Sequence, residues 1–345
     1  MRVQIVVALP LLLLILASGV VLQAMGSGKE KQSLVVTRPP QEIVQQFKLS
    51  PFYKKFVSAG GVPIIGSEKV SDYALLEAAY IVNKMLAGRE DLRQAIIRNK
   101  IRVVVMAPTE LTTDIPEHSD LTPKDYWDRR ARGLGATKIR PATSCGEENL
   151  LCYPNDPYFG ENILVHEFTH TIHEIALAEV DPSFDACLKK AYEQAMKEGL
   201  WQGTYAATNH HEYWAEGVQI WFHANRTLMH EHNFVGTREQ LKRYDPRLAS
   251  LLEEVFRDNS WIWVPPIVRA DLGHLSGFSF TKAPKFEWPK ELEERYRKIQ
   301  AQKEVGRREP TKPPQTVIAT KKPRTWTLRD GHTFEAMFAS EANGF

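Results

Sequence analysis

The segment His166-Glu-Phe-Thr-His170 combines residue types that can bind a metal ion and move a proton. If this segment is helical, residues i and i+4 lie one turn apart, about 5.4 Å along the axis, so both imidazoles can bind one ion. Glu167 then lies beside the ion, where it can take a proton from a metal-activated water. This arrangement is typical of zinc hydrolases, in which a catalytic ion needs at least one more protein ligand.

His173 lies on the same helical stripe but does not fit as the third ligand. It follows His166 by seven residues, a rise of about 10.5 Å, whereas zinc–nitrogen bonds are about 2.0–2.1 Å long. A continuous helix therefore cannot bring the rings of His166, His170 and His173 to one ion. We expect His173 to lie behind the ligands or at the surface.

A better source of the third ligand is the segment that ends in Glu212-Tyr-Trp-Ala-Glu216. The two carboxylates lie one turn apart on a predicted helix whose other face is apolar, with Trp214, Val218 and Trp221. An ordinary solvated acidic face would show the same spacing. The two-histidine motif upstream favours a ligand helix over that alternative.

Together, His166-Glu-x-x-His170 and Tyr205-x6-Glu212-Tyr-Trp-Ala-Glu216 resemble the catalytic domain of anthrax lethal factor and its relatives, a branch of the gluzincin metalloproteases. The resemblance covers roughly residues 50–280. It implies an α+β, zincin-like domain with a small mixed sheet, an active-site helix and a later helix that supplies a glutamate ligand. The site residues that it implies are zinc ligands His166, His170 and Glu212, general base Glu167, oxyanion donor Tyr205, and Glu216 orienting a ligand histidine.

The predicted function is an exported endopeptidase that uses one zinc ion and a zinc-activated water to hydrolyse protein or peptide substrates. Two alternatives remain open. One is a secreted binding protein on the same scaffold with no turnover, although every expected catalytic residue is present. The other is a mononuclear Fe(II) enzyme, since two histidines and a carboxylate also bind iron. Glu167 and the spacing of Tyr205 argue against that second alternative.

Composition and the N-terminus limit the partners and the compartment. The chain has 345 residues and a formal net charge of +2, so its charge gives no case for nucleic-acid binding. An apolar run from Ile5 to Leu22 follows Met1-Arg2, which predicts a signal peptide over residues 1–24. The alternative is an uncleaved N-terminal anchor, which would be the chain's one membrane contact. Either interpretation predicts a secreted, periplasmic or cell-surface protein.

The three cysteines fit an oxidising compartment. Cys145 and Cys152 enclose a short loop and can form a disulfide there. We expect Cys187 to be a buried, apolar thiol on a helix.

Changes in composition predict five segments. After the signal peptide, residues 25–50 form a polar linker and residues 51–283 the catalytic domain. Residues 284–323 are a charged linker that contains several prolines. Residues 324–345, with Trp326 and the turn-like Arg-Asp-Gly331, form part of a small β module that weakly resembles the Sla-type homology module.

Hydrophobic periodicity predicts the elements that hold the site. A helix from the N-cap Ser71 to Gly88 and a second at about 90–99 precede a buried strand, Ile101–Ala107. Residues 109–160 predict edge strands and loops that line a cleft. Helices are then predicted at about 160–178, which carries the metal motif, and at about 182–198, 209–222, 245–257 and 291–305.

The remaining histidines carry weaker expectations. His210 and His211 open the predicted ligand helix and can face either solvent or the cleft. His230 and His232 have strand spacing, but no acidic partner motif lies near them in the sequence. We expect those two to have no role at the site.

Overall fold

The computed structural model describes residues 34–229, 231–269, 273–307, 324–327 and 333–336. The predicted signal peptide lies outside these ranges, as does most of the predicted C-terminal module. Within them, every helix is too short or too polar to cross a bilayer.

The main sheet is small and mixed, as predicted. Its five strands lie in the order β1-β2-β3-β5-β4, and β2, β3 and β5 run parallel, while β1 and β4 are antiparallel to their neighbours. The strands are β1 (Lys55–Ala59), β2 (Val62–Gly66), β3 (Arg102–Met106), β4 (Gly133–Leu134) and β5 (Ala142–Gly146). Each residue of the central strand β3 is buried, which explains its continuous apolar run. A separate hairpin pairs β6 (Arg324–Thr327) with β7 (Thr333–Ala336).

Helices make up most of the rest of the described chain. They are α1 (Gln41–Phe47), α2 (Asp72–Met85), α3 (Glu90–Arg98), α4 (Lys124–Arg130), α5 (Glu147–Leu150), α6 (Ile163–Thr171), α7 (Ala178–Val180), α8 (Phe184–Lys197), α9 (His210–Trp221), α10 (Arg238–Tyr244), α11 (Pro246–Phe256) and α12 (Lys290–Arg307). The helices predicted from sequence periodicity agree within a few residues with the observed bounds of α2, α3, α8, α9 and α11. The molecule is therefore a mixed α+β protein.

The metal motif lies on α6, which begins three residues later than predicted. Asn162 is the N-cap, and its side chain accepts a hydrogen bond from the backbone N–H of Val165 at 2.9 Å. After Thr171 the helix widens into a π-helical segment, Ile172–Leu177, before α7. Wider turns of this kind often occur at functional sites, and this one changes the direction of His173 relative to a regular helix.

The helix that carries Glu212, α9, packs against α6. Asn209 caps it by accepting hydrogen bonds from the backbone N–H groups of His211 and Glu212 at 2.9 and 3.0 Å. The opposite face carries the fully buried Trp214 and Trp221. Burial of each such side chain contributes about 1.5–3 kcal/mol, which holds the helix in place.

Two predicted linkers are partly built into the domain instead. Residues 41–47 form α1, which buries Phe47 in a small core beneath the sheet. Near the C-terminus, Phe286 and Leu292 are also buried, and α12 packs against α4 through an ion pair between Arg129 and Glu293 at 2.5 Å. A single buried apolar side chain in a polar segment is enough to hold each of these elements against the domain. It produces too little hydrophobic periodicity for the element to be predicted from the sequence. The stretch 109–160 likewise contains α4 and α5 in addition to the predicted loops and strands.

The three cysteines are free thiols. β5 buries Cys145 in the core, whereas Cys152 follows α5 and is half-buried, so the predicted disulfide is absent. Cys187 lies on a helix as expected, but it is exposed on α8. The buried face of that helix is formed by Leu188, Ala191 and Ala195.

Candidate metal centre

Three potential ligand atoms converge between α6 and α9. His166 Nε2 lies 3.0 Å from Glu212 Oε2 and 3.2 Å from His170 Nε2, and His170 Nε2 lies 3.4 Å from Glu212 Oε2. All three side chains are largely shielded from solvent. In a tetrahedral zinc site with bonds of about 2.0–2.1 Å, ligand atoms are about 3.3 Å apart. The spacing therefore suits a single ion bound by all three side chains, which we call the first site.

Gln219 determines which nitrogen of His166 faces the first site. Its amide nitrogen donates to the carbonyl of Asn162 at 3.2 Å, so its oxygen accepts the Nδ1–H of His166 at 2.8 Å. Nε2 of the neutral ring then points a lone pair at the Glu212 carboxylate, which is repulsive unless a cation lies between them. A proton can bridge only one of the three close contacts, whereas a metal ion satisfies all of them. The donor set therefore fits a metal ion.

Without a metal, a proton takes the place of the cation. Burial disfavours charge on His166, but the hydrogen bond to Glu212 and the surrounding carboxylates outweigh it and raise the pKa of His166 to about 10. Burial also opposes charge on Glu212, yet His166 and His170 hold the pKa of that carboxyl well below its usual range. Metal binding at this site therefore displaces a proton.

Glu216 has a different place from the one that the resemblance implies. Its carboxylate is 3.7 Å from His166 Nδ1, beyond hydrogen-bond distance, and Gln219 makes that bond instead. Glu216 accepts hydrogen bonds from Asn225 at 2.8 Å and from His232 at 3.0 Å. It thus contributes negative charge behind His166 without orienting the ring directly.

Glu167 lies on α6 at the meeting point of two clefts. Burial raises the pKa of Glu167 above its ordinary value, although the positive charges of His166 and His170 act in the opposite direction. A carboxylate with a raised pKa is better suited to accept and return a proton near neutral pH. The environment of Glu167 is thus compatible with acid–base chemistry.

Tyr205 lies just before α9, and the centroid of its ring is 6.1 Å from the centroid of the His166 ring. Arg130, the last residue of α4, lines the same two clefts as Tyr205. Burial raises the pKa of Tyr205, so its hydroxyl stays protonated and can donate a hydrogen bond in the cleft. Arg130 adds a positive charge on the same side.

Two clefts of about 480 and 360 Å³ meet at His166, Glu167 and Tyr205. Strand β4 lies along them and is the last strand of the sheet, so one of its edges carries no partner strand among the described residues. β4 approaches α6 closely: a Cβ added to Gly135, just beyond the strand, would lie 2.7 Å from the Cβ of His170. A glycine is needed there for this approach.

The other histidines divide into two groups. As expected, His173 does not join the first site; it is buried, and its Nε2 lies 3.0 Å from Asp185 Oδ1. His210 and His211 lie near the same carboxylate, at the start of α9. His232 lies between Glu216 and Glu161, with Nδ1 3.0 Å from the first carboxylate and Nε2 3.8 Å from the second, a contact that the sequence does not predict. His230 lies outside the described residues.

Sequence reasoning missed three residues that shape this centre. Gln219 had a usable signal, because it lies seven residues after Glu212 and therefore two turns along the same face of the predicted helix. Arg130 and His232 come from segments far from the motifs, and nothing in their local sequence marks them.

Neither a comparison with protein-family profiles nor one with curated proteins gives a match for this chain. Among solved structures, the chain is similar to the Pro-Pro endopeptidase PPEP-2 from Paenibacillus alvei. The match has 14% identity and a TM-score of 0.35, and it covers 57% of this chain and 98% of the other. A TM-score this low assigns neither a fold nor an activity to this chain.

Proposed function

We propose that this protein is an exported, zinc-dependent endopeptidase of the gluzincin type with a zincin-like catalytic domain. The observation that carries the proposal is the convergence of His166, His170 and Glu212 within 3.0–3.4 Å of one another, beside Glu167. The two histidines come from one helix and the glutamate from a later one. The gluzincin metalloproteases, which this sequence resembles, have their zinc ligands in the same order.

The roles of the surrounding residues follow from their contacts. A zinc ion at the first site supplies a Lewis acid that polarises a carbonyl group and makes water more acidic. Glu167 accepts a proton from the attacking water and returns it to the leaving amine. Tyr205 donates a hydrogen bond to the oxyanion that develops on the substrate carbonyl, a contact that contributes about 3–4 kcal/mol in other enzymes. Arg130, which lines the same two clefts, adds a positive charge near Tyr205.

A polypeptide is the substrate that the surroundings of the site suit best. Among the described residues no strand pairs with the outer edge of β4, so its backbone groups can pair with an extended peptide. The two clefts share His166 and Glu167 but are otherwise lined by largely different residues, which gives a chain room to extend in both directions from the scissile bond. That supports cleavage within a chain rather than at its end.

The proposal of export depends on the N-terminal sequence alone. The apolar run from Ile5 to Leu22 after a basic residue supports secretion, or display at the cell surface or in the periplasm.

Zinc analysis combined with digestion of a random peptide library tests the proposed function. We expect bound zinc, cleavage at internal peptide bonds, loss of cleavage with a chelator and recovery with zinc. Bound zinc without any cleavage would favour the binding-protein alternative. Bound iron in place of zinc, together with no peptide cleavage, would favour the iron enzyme.

A further inference from the structure

A second group of histidines and a carboxylate lies around the start of α9, directly before Glu212. Asp185, in the first turn of α8, directs one oxygen at two histidines: Oδ1 lies 3.0 Å from His173 Nε2 and 3.1 Å from His210 Nε2. The rings of His210 and His211 are 4.1 Å apart. One ring nitrogen of each and one oxygen of Asp185 lie within 4.8 Å of one another.

We propose that Asp185, His210 and His211 form a second site for a divalent cation of the zinc class, which we call the second site. Two imidazoles and one carboxylate are the same donor set as in the first site, and they suit zinc and its neighbours better than calcium or magnesium. Asp185 is more than half exposed, with 59% of its side-chain surface accessible. It can therefore move the short distance needed to complete the coordination, and water can fill a remaining position.

His173 positions the carboxylate. Its ring is 97% buried and its Nδ1 has no hydrogen-bond partner within the described part of the chain. A buried N–H left unpaired is costly, so the proton is on Nε2, which donates to Asp185 Oδ1. Hydrogen bonds of this kind, from a neighbouring side chain to a ligand, orient metal-binding groups.

The cluster of Glu161, Glu216 and His232 has the same 4.8 Å spacing of ligand atoms but differs in how its charges are paired. The two carboxylates lie at opposite nitrogens of the His232 ring: Glu216 at Nδ1 and Glu161 at Nε2. An ion bound to one of these nitrogens would therefore lie beside one of the carboxylates and farther from the other. Arg226 also pairs with Glu161, and Asn225 donates to Glu216. Those charges are already balanced. At the second site, by contrast, the carboxylates face histidines and no arginine or lysine within the described residues: Asp185 contacts His173 and His210, and Glu174 Oε1 lies 3.3 Å from His211 Nδ1.

The position of the second site gives it a structural consequence. His210 and His211 are the first two residues of α9, directly before the ligand Glu212, whereas Asp185 belongs to α8. An ion held there links the start of α9 to α8 and, through His173, to the π-helical continuation of α6. A ligand that binds only the folded state stabilises it, so we expect zinc to stabilise the fold through this site independently of the first.

Zinc stoichiometry of the full-length chain, prepared without a histidine tag, tests the proposal. After equilibrium dialysis and elemental analysis, we expect two ions in the wild-type protein and one in Asp185→Asn/His210→Gln. We also expect one in His170→Ala and none when the three changes are combined. His223→Asn, which alters a histidine outside both sites, keeps two.

The melting temperature provides an independent measurement in the same proteins. Zinc should raise the Tm of His170→Ala by several degrees and leave the Tm of the combined variant unchanged. The proposal is overturned if His170→Ala binds no zinc, or if Asp185→Asn/His210→Gln still binds two ions. One ion that survives His170→Ala but is lost in Asp185→Asn/His210→Gln would contradict the proposed function and support the second site.

Discussion

The side-chain oxygen of Gln219 lies 2.8 Å from Nδ1 of His166, and this contact directs Nε2 of the ring at Glu212. The amide itself is held by the backbone carbonyls of Asn162 and Ala224. A residue on α9 thus fixes the tautomer of a ligand on α6. The two helices therefore contribute to the first site both through their converging side chains and through this supporting bond.

Loss of the Gln219 amide should weaken metal binding without removing a ligand. In Gln219→Ala the Nδ1–H of His166 loses its acceptor, and the ring is no longer held in one tautomer. We expect zinc affinity at the first site to fall about 10- to 100-fold, measured by competition with a fluorescent chelator. Gln219→Glu keeps an acceptor and should retain more affinity.

Glu216→Gln is the matched comparison, because Glu216 lies near the same nitrogen but at 3.7 Å. It should change zinc affinity less than Gln219→Ala does. The reverse order would show that the carboxylate, and not the amide, orients His166.

The Glu167→Gln variant should bind zinc normally and lose peptide hydrolysis. The amide has the shape of the carboxylate but cannot accept the proton of the attacking water, so we expect kcat to fall by at least about 10²–10⁴-fold. Glu179→Gln changes an exposed glutamate on α7 and serves as a control with unchanged turnover. Retained hydrolysis in Glu167→Gln would remove Glu167 from the role of general base.

Glu212→Ala should lose the ion of the first site. The carboxylate contributes one of the three converging ligand atoms and the negative charge that faces both imidazoles. Elemental analysis should show one zinc ion fewer than in the wild type, with peptide hydrolysis lost as well. Glu231→Ala alters an acidic residue of the adjoining cleft and should keep the ion. An unchanged zinc content in Glu212→Ala would place the third ligand elsewhere.

Local sequence patterns predicted the elements that carry strong periodicity or a close ligand spacing. The helical spacing of His166 and His170 and the apolar face beside Glu212 are examples, since both depend on residues within two turns of one helix. The buried strand β3 was predictable for the same reason, because its five residues are all covered.

The contacts between distant segments were not predictable in this way. Arg130 reaches Tyr205 from α4, and His232 reaches Glu216 from a loop, although neither segment carries a motif. Helices α1 and α12 dock through one or two apolar side chains, including Phe47 and Leu292. One or two apolar residues produce little periodicity in an otherwise polar segment. The sequence therefore predicted linkers where α1 and α12 are found.

Gly135→Ala should disturb the site without changing any polar group. The added Cβ would lie 2.7 Å from the Cβ of His170 and 3.3 Å from the carbonyl oxygen of Glu167. Such overpacking costs about 1–3 kcal/mol of stability, and a displacement of α6 by about 1 Å can lower kcat/KM about 100-fold. Urea unfolding and peptide-cleavage kinetics measure the two effects.

Gly66→Ala provides the comparison for that variant. Its added Cβ would meet Val70 at 2.9 Å, in a strand remote from the first site. It should lower stability to a similar extent and leave kcat/KM nearly unchanged. Equal kinetic losses in both variants would mean that the effect of Gly135→Ala is a general loss of folded protein.

The stability of the fold should fall in acid because of His118. This histidine is buried beside Ser144, with Nε2 3.0 Å from the hydroxyl, and burial lowers the pKa of His118 from 6.5 to about 4. Between these two values the unfolded chain binds a proton that the folded chain does not, so the free energy of unfolding decreases as the pH falls from 6.5 to 4. The contribution of His118 between pH 7 and pH 4.5 is about 2 kcal/mol.

His118→Gln isolates that contribution, because glutamine keeps a polar group near Ser144 but does not titrate. All other titrating groups are common to both proteins, so the difference between their pH profiles reports on position 118. Urea unfolding at pH 7 and pH 4.5 should show a drop that is about 2 kcal/mol smaller in the variant. Parallel profiles would mean that His118 takes up its proton equally well in the folded chain, which its burial beside Ser144 should prevent.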